Sequence, residues 1–531
     1  MDVETFTTHA GFSIMLRPII LLDVFVVGAC VTWLQQTVSS KRRARLLPPG
    51  PPRMALIGNV LDMPKSHLWE KAAEWRKEYG DIIYLENFGS PLVILNSYEA
   101  TIDLLEKRSI KYSSRSTPPM VDELQDWTWL TVFTPYGNRW KGYRGPIQKA
   151  FNTPEVIEYK DIQRRSSRLL LADLLRDPGK HNLYVKSSTV RTIMLAAYGH
   201  EVVEANDSYV SLVEEGTIFA GSAAVPGQFL VDIFPWLKYV PTWFPGAGFQ
   251  KIAQQGRRLS HDMRYIPYEN TKNKILSGEA GQSLVSRLLD QCVARGSNST
   301  PEDDALISAV AGMVYAGGTD TTSSVLQTFL LAMTLFPEAQ KKGQEEIDRV
   351  IGNDRLPDFE DKENLPYIDA IYKECLRWNQ PLPLGVPHLL TEDDTYNGYF
   401  LPAGTVVAAN QWWMMHDPSE FPEPEIFRPE RFLPAPGNKL PLDPSKVAFG
   451  FGRRVCAGKL MADSSVYITI ASILATFDIS VPVDEAGNPQ PPSAEYNTSS
   501  VVNHPMPFDC IVRSRSEKAA ALIVQSVDMH I

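Results

Sequence analysis

Two short apolar runs bounded by turn residues, Ile82-Ile-Tyr-Leu85 and Pro91-Leu-Val-Ile-Leu95, predict a pair of strands near the start of the body of this chain. From about residue 101 to 380 the apolar positions recur at helical spacing, and 380–450 is dense in proline and turn residues. The longest periodic run begins at Thr300-Pro-Glu-Asp303, a hydroxyl cap followed by proline at the first helical position and acids in the first turn. It continues to Phe336-Pro337, where the proline stops it. At about 1.5 Å per residue such a helix is roughly 50 Å long, enough to cross a whole domain. Leu365-Pro366-Tyr367 opens another helix, and a third with an apolar face starts at Lys459 and is followed by short strands. Helix dominates and sheet is minor. No clean linker interrupts 53–515, which reads as one large domain with a tail over 516–531.

The N-terminus follows a different pattern. Gly11 to Leu34 is mostly apolar and long enough to span a bilayer, which needs about 20 residues. Arg17, Pro18 and Asp23 weaken it, the acid by roughly 2.5–3.5 kcal/mol on insertion scales. Lys41-Arg-Arg-Ala-Arg45 follows the run, whereas a cleaved signal would carry its positive charges in front of it. Residues 1–40 are therefore read as an uncleaved transmembrane anchor with the body in the cytosol. Sequons at Asn206, Asn298 and Asn497 then stay unmodified. Residues 41–52 form a basic and proline-rich hinge, whose Leu47-Pro-Pro-Gly-Pro-Pro52 is a stiff, extended spacer.

The chain has 531 residues, and its 52 basic against 62 acidic side chains give a net charge of −10. With no basic block outside the N-terminal region, nucleic acid is an unfavourable partner. Five cysteines (Cys30, Cys292, Cys375, Cys456, Cys510) lie far apart with no Cys-x-x-Cys, which speaks against zinc and against a disulfide framework. Neither a Gly-rich dinucleotide fingerprint nor a phosphate loop is present, so redox chemistry here needs electrons from another protein.

Candidate chemistry gathers at Phe449-Gly-Phe-Gly452-Arg-Arg454-Val-Cys456-Ala-Gly458. It sets one sulfur at the N-terminal end of a helix, where unpaired N–H groups and the positive end of the dipole favour thiolate. Gly452 and Gly458 let the backbone turn tightly and approach a flat macrocycle. The middle of the long helix holds Ala316-Gly317-Gly318-Thr319-Asp320-Thr321-Thr322. Two adjacent glycines cost about 0.8–1.0 kcal/mol each against alanine, so a reason for them is expected: room against a cofactor. Glu374 and Arg377, at i and i+3 among apolar residues, must be paired.

Phe449, Gly452, Arg454, Cys456 and Gly458 together resemble the haem-binding loop of the cytochrome P450 family, and the resemblance runs from the proline hinge to the C-terminal strands. It implies the cytochrome P450 fold, a large helical domain plus a small β-rich region, with haem b held by the Cys456 thiolate. Such a ligand pushes electron density onto iron and favours O–O cleavage. The same resemblance makes Asp320 and Thr321 an acid–alcohol proton relay. It places Trp140, Arg144, His388 and Arg454 at the propionates, with Phe449, Gly317, Gly318 and Gly458 also against the cofactor. Glu374, Arg377 and Arg431 become a structural cluster behind the cysteine loop. The pocket is expected to draw on Trp127, Trp129, Leu130, Val314, Leu382, Leu384, Val501 and Val502, which suits a lipophilic, largely neutral substrate.

The stretch from Val225 to Gly246 is similar to fungal secondary-metabolism members of the O-methylsterigmatocystin oxidoreductase type, and a terpenoid is the favoured substrate class. Partners implied are O2, an NADPH–cytochrome P450 reductase, cytochrome b5 and the endoplasmic reticulum membrane. A haem-thiolate isomerase, dehydratase or peroxygenase and an indole or polyketide hydroxylase are the alternatives, and a haem sensor without turnover stands further off.

Overall fold

The computed structural model describes residues 46–151, 158–204, 207–225, 227–296, 299–437, 439–497 and 501–528. The anchor read over 1–40, the basic part of the hinge, and the sequons at Asn206 and Asn298 lie outside these residues. Among the described residues no helix is long and apolar enough to cross a membrane.

The helices that build the site are α1 (Asn138–Phe151), α2 (Lys160–Arg176), α3 (His181–Tyr198), α4 (Ser208–Ala224), α5 (Gly248–Leu276), α6 (Pro301–Leu335), α7 (Pro366–Trp378), α8 (Lys459–Thr476) and α9 (Glu517–Asp528). The strands that matter are β1 (Ile82–Asn87), β2 (Ser90–Leu95), β3 (His388–Leu389), β4 (Val406–Ala409), β5 (Tyr496–Asn497) and β6 (His504–Pro505). Helix therefore dominates, as the apolar spacing predicts.

α6 is the axis. Thr300 caps it by accepting from the Asp303 N–H while the Asp303 carboxylate accepts from the Thr300 N–H, a complete capping box. It ends at Leu335, one residue ahead of the Phe336-Pro337 stop. Along its 35 residues it packs against α1, α3, α4, α5, α7 and α8. Its first half shares an apolar core with α3, α4, α5 and the 120–130 loop, and its second half a separate core with α2, α7 and α8. A small sheet ordered β1-β2-β4-β3 closes one side. β1 and β2 pair antiparallel with Ile82 opposite Leu95, and β2 and β4 pair parallel with Leu92 opposite Val406. β3 joins β4 with His388 opposite Val407.

One expectation about the ends needs correction, and the other gains contacts. The proline segment is docked on the body: Pro49 O accepts from the Tyr84 N–H at 2.9 Å, and Leu46 O accepts from the Phe400 N–H at 2.7 Å. Gly50 sits so close to β1 that a Cβ would lie 2.1 Å from Tyr84 O. The stretch read as a tail is α9, whose Ile523 is fully buried against α2 and α8. Ala519 and Ile523, four apart, form the apolar stripe that carries the folded body past residue 515.

Candidate active site

A chamber between α6 and the loop before α8 has the Cys456 side chain on its surface. The loop is held by its own backbone: Phe449 O accepts from the Cys456 N–H at 2.8 Å, and Phe451 O from the Arg454 N–H at 3.1 Å. Gly452 has φ +57°, and a Cβ there would sit 2.1 Å from Leu105 O, so this glycine serves a backbone approach on the outer side of the loop. Gly458 has an ordinary φ of −99° as the cap of α8 and faces open space inside the chamber.

Cys456 is exposed only to that chamber, with protein surrounding it in every direction. Burial pushes its thiol pKa up, and the Gly458 N–H and the Arg144 charge pull the other way without prevailing. Ligation of a cation would draw the proton off the sulfur, in the same sense as the helix end.

One end of the chamber is cationic. Arg115, Arg144, Arg454 and His388 all line it, with Trp140 one turn before Arg144 on α1. Arg454 donates to Ser113 O at 2.6 Å, Thr131 O at 3.0 Å and Thr134 O at 2.9 Å, and its guanidinium lies 4.6 Å from the Trp140 ring centroid. Arg115 donates to Val386 O and Pro387 O, both at 2.8 Å, and its buried Nε has no partner. The Nδ1–H of His388 donates to Tyr112 O at 2.7 Å, which leaves Nε2 as the ring's free nitrogen for the chamber. Burial drives Arg115 well below the usual guanidinium range, aided by the Arg454 charge, and brings Arg454 down to about 10. No Asp, Glu or Lys lines the chamber among the described residues, so these positive charges face one another without a counterion. Arg115 went unnoticed in the sequence: Ser113-Ser114-Arg115 carries no motif, and only the fold brings it to residues 386–388.

α6 forms the opposite wall. Gly317, Gly318 and Thr321 line the chamber, and the Thr321 hydroxyl donates to Gly317 O at 3.0 Å. The two glycines serve different ends. A Cβ on Gly317 would meet only the tip of Met313, at 2.9 Å, whereas one on Gly318 would lie 2.6 Å from Ile193 Cδ1 of α3. Gly318 thus serves helix packing as well as lining the chamber. Asp320 is not part of the chamber lining; its carboxylate points to His504, Oδ1 to Nε2 2.8 Å. Val314, Leu382 and Leu384 line the chamber as expected. Trp127 and Trp129 are instead core, because their indole N–H groups are held by Gln125 Oε1 and Ser260 Oγ at 2.7 and 2.8 Å.

Behind the cysteine loop, Glu374 and Arg377 are fully buried. Arg377 donates from Nε to Oε2 at 2.7 Å and from Nη2 to Oε1 at 2.9 Å, and Arg431 Nε reaches Oε1 at 3.1 Å. The remaining guanidinium nitrogens are taken up by carbonyls of residues 415 and 422–426. The structure assembles the three charges as one unit.

A flat dianionic macrocycle with a central metal fits this chamber. It offers one sulfur for the metal, a cationic end without acids for two carboxylates, and bare backbone at Gly317 and Gly458. Fold and site together define a haem-thiolate protein. The family profile described as "Cytochrome P450" matches residues 48–512. A cytochrome P450 monooxygenase of Armillaria gallica is 42% identical over 498 residues, 93% of this chain and 97% of the relative. One from Postia placenta is 39% identical over 509 residues, covering 95% and 97%, and one from Rhodocybe pseudopiperita is 39% identical over 506, covering 94% and 96%. The chain belongs to the cytochrome P450 family. It is a monooxygenase that uses haem with an axial thiolate and takes electrons from a reductase.

Proposed function

We propose that this enzyme inserts one oxygen atom from O2 into a lipophilic, uncharged natural-product intermediate, a terpenoid in preference, within secondary metabolism. The observation that carries the reading is the apolar part of the chamber lining. Val314, Val325, Leu326, Leu382, Leu384 and Ile193 belong to it, and no Asp, Glu or Lys is among the lining residues described. An anionic substrate would compete with the propionates for the same three arginines; an apolar one gains burial of roughly 25 cal/mol per Å2 without that conflict.

When bound, haem would supply the iron at which O2 is activated, and the Cys456 sulfur would hold it. The chain's own residues do the rest. Arg115, Arg144 and Arg454 neutralise the propionates and Trp140 adds an indole donor, whereas the neutral His388 ring, its proton given to Tyr112 O, has only an acceptor nitrogen left. Thr321 presents a hydroxyl from the α6 wall, and Asp320 on the next position is the acid that resupplies its proton. Asp320→Asn is expected to leave reduction intact while diverting oxygen into peroxide, read as NADPH consumed without product; unchanged coupling would remove the relay assignment.

The working site is the endoplasmic reticulum membrane, with an NADPH–cytochrome P450 reductase and cytochrome b5 as electron donors. Support comes from an aromatic lip in which Trp236, Tyr239 and Trp243 are 64%, 78% and 78% exposed. Phe234 in that lip touches Phe88 in the β1–β2 turn, ring centroids 6.0 Å apart. Aromatic rings of this kind settle at the headgroup level of a bilayer.

A haem-spectral titration with terpenes, indoles, sterols and aromatic polyketides tests the substrate class. A low-to-high-spin shift with terpenes supports the reading, and a shift confined to indoles or polyketides replaces it.

A further inference from the structure

Asp320 is the acid of the proposed relay, yet it lies outside the chamber and is held by a residue 184 positions away in sequence. His504, the first residue of β6, bridges two groups on one face of α6. Its Nε2 is 2.8 Å from Asp320 Oδ1, and its Nδ1 is 2.9 Å from Gln327 Oε1. Seven residues separate Asp320 and Gln327, two helical turns, so the imidazole spans them along the helix axis. An Nε2–H donates to the Asp320 carboxylate, and the carboxylate charge makes that bond a charge-assisted one. Asp320 is the only ionisable partner of His504 among the described residues. The two side chains are 21% and 17% exposed, so the pair stands between solvent and the chamber wall.

The arm that carries His504 is fixed with unusual care. Asn503 O accepts from the Ser324 hydroxyl at 2.6 Å, and the Asn503 amide donates to Asn379 Oδ1 at 2.7 Å. Its backbone N–H donates to Pro381 O at 2.8 Å, on a segment that itself lines the chamber. On the other side, Val501 presses on α4, where a Cβ at Gly221 would lie 3.2 Å from Val501 Cγ2. So much anchoring of one turn is more than β5–β6 pairing requires, since that ladder is only two residues long.

We infer that His504 is the positioning residue of the proton relay: it clamps Oδ1 of Asp320, so that the second carboxylate oxygen is presented in a defined direction beside Thr321. This rests on the reading of Asp320 and Thr321 as the relay. Without the clamp the carboxylate swings toward water and the central turn of α6 loses a tie. The role is one of orientation; His504 does not line the chamber.

Two substitutions test it in the full-length, haem-loaded enzyme. His504→Phe keeps an aromatic ring and removes both ring nitrogens; His504→Gln restores a donor to Asp320 without a ring. Expected for the phenylalanine variant is a fall in the product-to-NADPH ratio on the order of tenfold, the usual scale for loss of an orienting partner. Its substrate-induced spin shift stays at the parent value. Amide exchange of residues 313–325 is expected to rise in His504→Phe and to return to the parent level in His504→Gln, together with coupling. In an Asp320→Asn background the phenylalanine change should add nothing further.

Additive losses in the double variant, or unchanged coupling and exchange in His504→Phe while Asp320→Asn uncouples, would overturn the role of His504 and leave the relay standing. Unchanged coupling in Asp320→Asn itself would instead remove the relay, and with it this inference.

Discussion

Two regions of the molecule are held by opposite means. Behind the cysteine loop, the Glu374 carboxylate accepts from Arg377, from Arg431 and from the Arg428 N–H at 2.7 Å, with Glu374 and Arg377 fully buried. Over residues 120–123, outside the chamber lining, the segment 227–247 forms a cover tied down by few side-chain bonds. Its links are Asp232 Oδ1 to the Met120 N–H at 2.9 Å, Lys238 to Glu123 at 2.5 Å, and the Gln250 amide to Lys238 O at 2.9 Å. Its aromatic side chains are largely exposed. A metal ligand must be held within a few tenths of an ångström, so redundancy suits one side. A cover held by few bonds opens locally at lower cost, so the other region is the readier to move.

That contrast breaks most visibly at Glu374. Glu374→Ala leaves two guanidinium groups facing each other in a space with no other acid among their bonded partners. Loss of one member of a buried ion pair costs roughly 3–5 kcal/mol, a large share of a domain's stability. Little folded, haem-loaded protein is expected, read as the thiolate-haem absorbance per unit of protein. A loss under about 1 kcal/mol would mean that the cluster is no more than ordinary surface electrostatics.

The next step down lies on the cover. Lys238 and Glu123 are 20% and 50% exposed, so their ion pair is worth about 1 kcal/mol or less. Lys238→Glu sets two acids against each other and should speed amide exchange over 227–247 without changing the cysteine loop. Adding Glu123→Lys should restore the parent rate. Failure of that rescue would show that Lys238 acts through its contact with Tyr239, 5.1 Å from its ring centroid, rather than through charge.

Legibility in the sequence follows the same division. The capping box at Thr300 and Asp303 and the Phe336-Pro337 stop are local, and they bound α6 almost to the residue. Glu374 and Arg377 announce their pairing by spacing alone, and the glycine pattern around Cys456 marks the loop. Arg115 and His504 give no such signal, because their partners sit in distant segments and nothing nearby in sequence is unusual. Gly317 and Gly318 look equivalent until Ile193 is placed beside one of them. Trp127 and Trp129 read as pocket because the family resemblance puts their loop there; Gln125 and Ser260, which hold their indole N–H groups in the core, are ordinary residues. α9 was hidden because its stripe is short and lies past the last strand, at a place where chains commonly trail off.

The smallest expected effect separates the charge of the cover from its geometry. Burial raises the Asp232 carboxyl to about 6, partly offset by the bond from the Met120 N–H. An unfolded Asp titrates near 3.9, so below about pH 4 both states carry the proton and the contact contributes in full. Between about 4 and 6 the folded protein keeps a proton that the unfolded chain has lost, and stability declines with rising pH through that window. Above about 6 the folded carboxylate is charged and the loss is complete. Asp232→Asn removes the titration and keeps an oxygen that can accept from Met120. At pH 7.5 it should therefore be the more stable protein, by under about 1 kcal/mol after allowance for the water that reaches this half-buried group. At pH 4 the advantage should vanish. The comparison is read from exchange over 227–247 or from the unfolding midpoint across that range. If the asparagine variant is instead the weaker one at pH 7.5, the charged bond to Met120 outweighs the cost of burial, and the cover is latched by charge as the cysteine loop is.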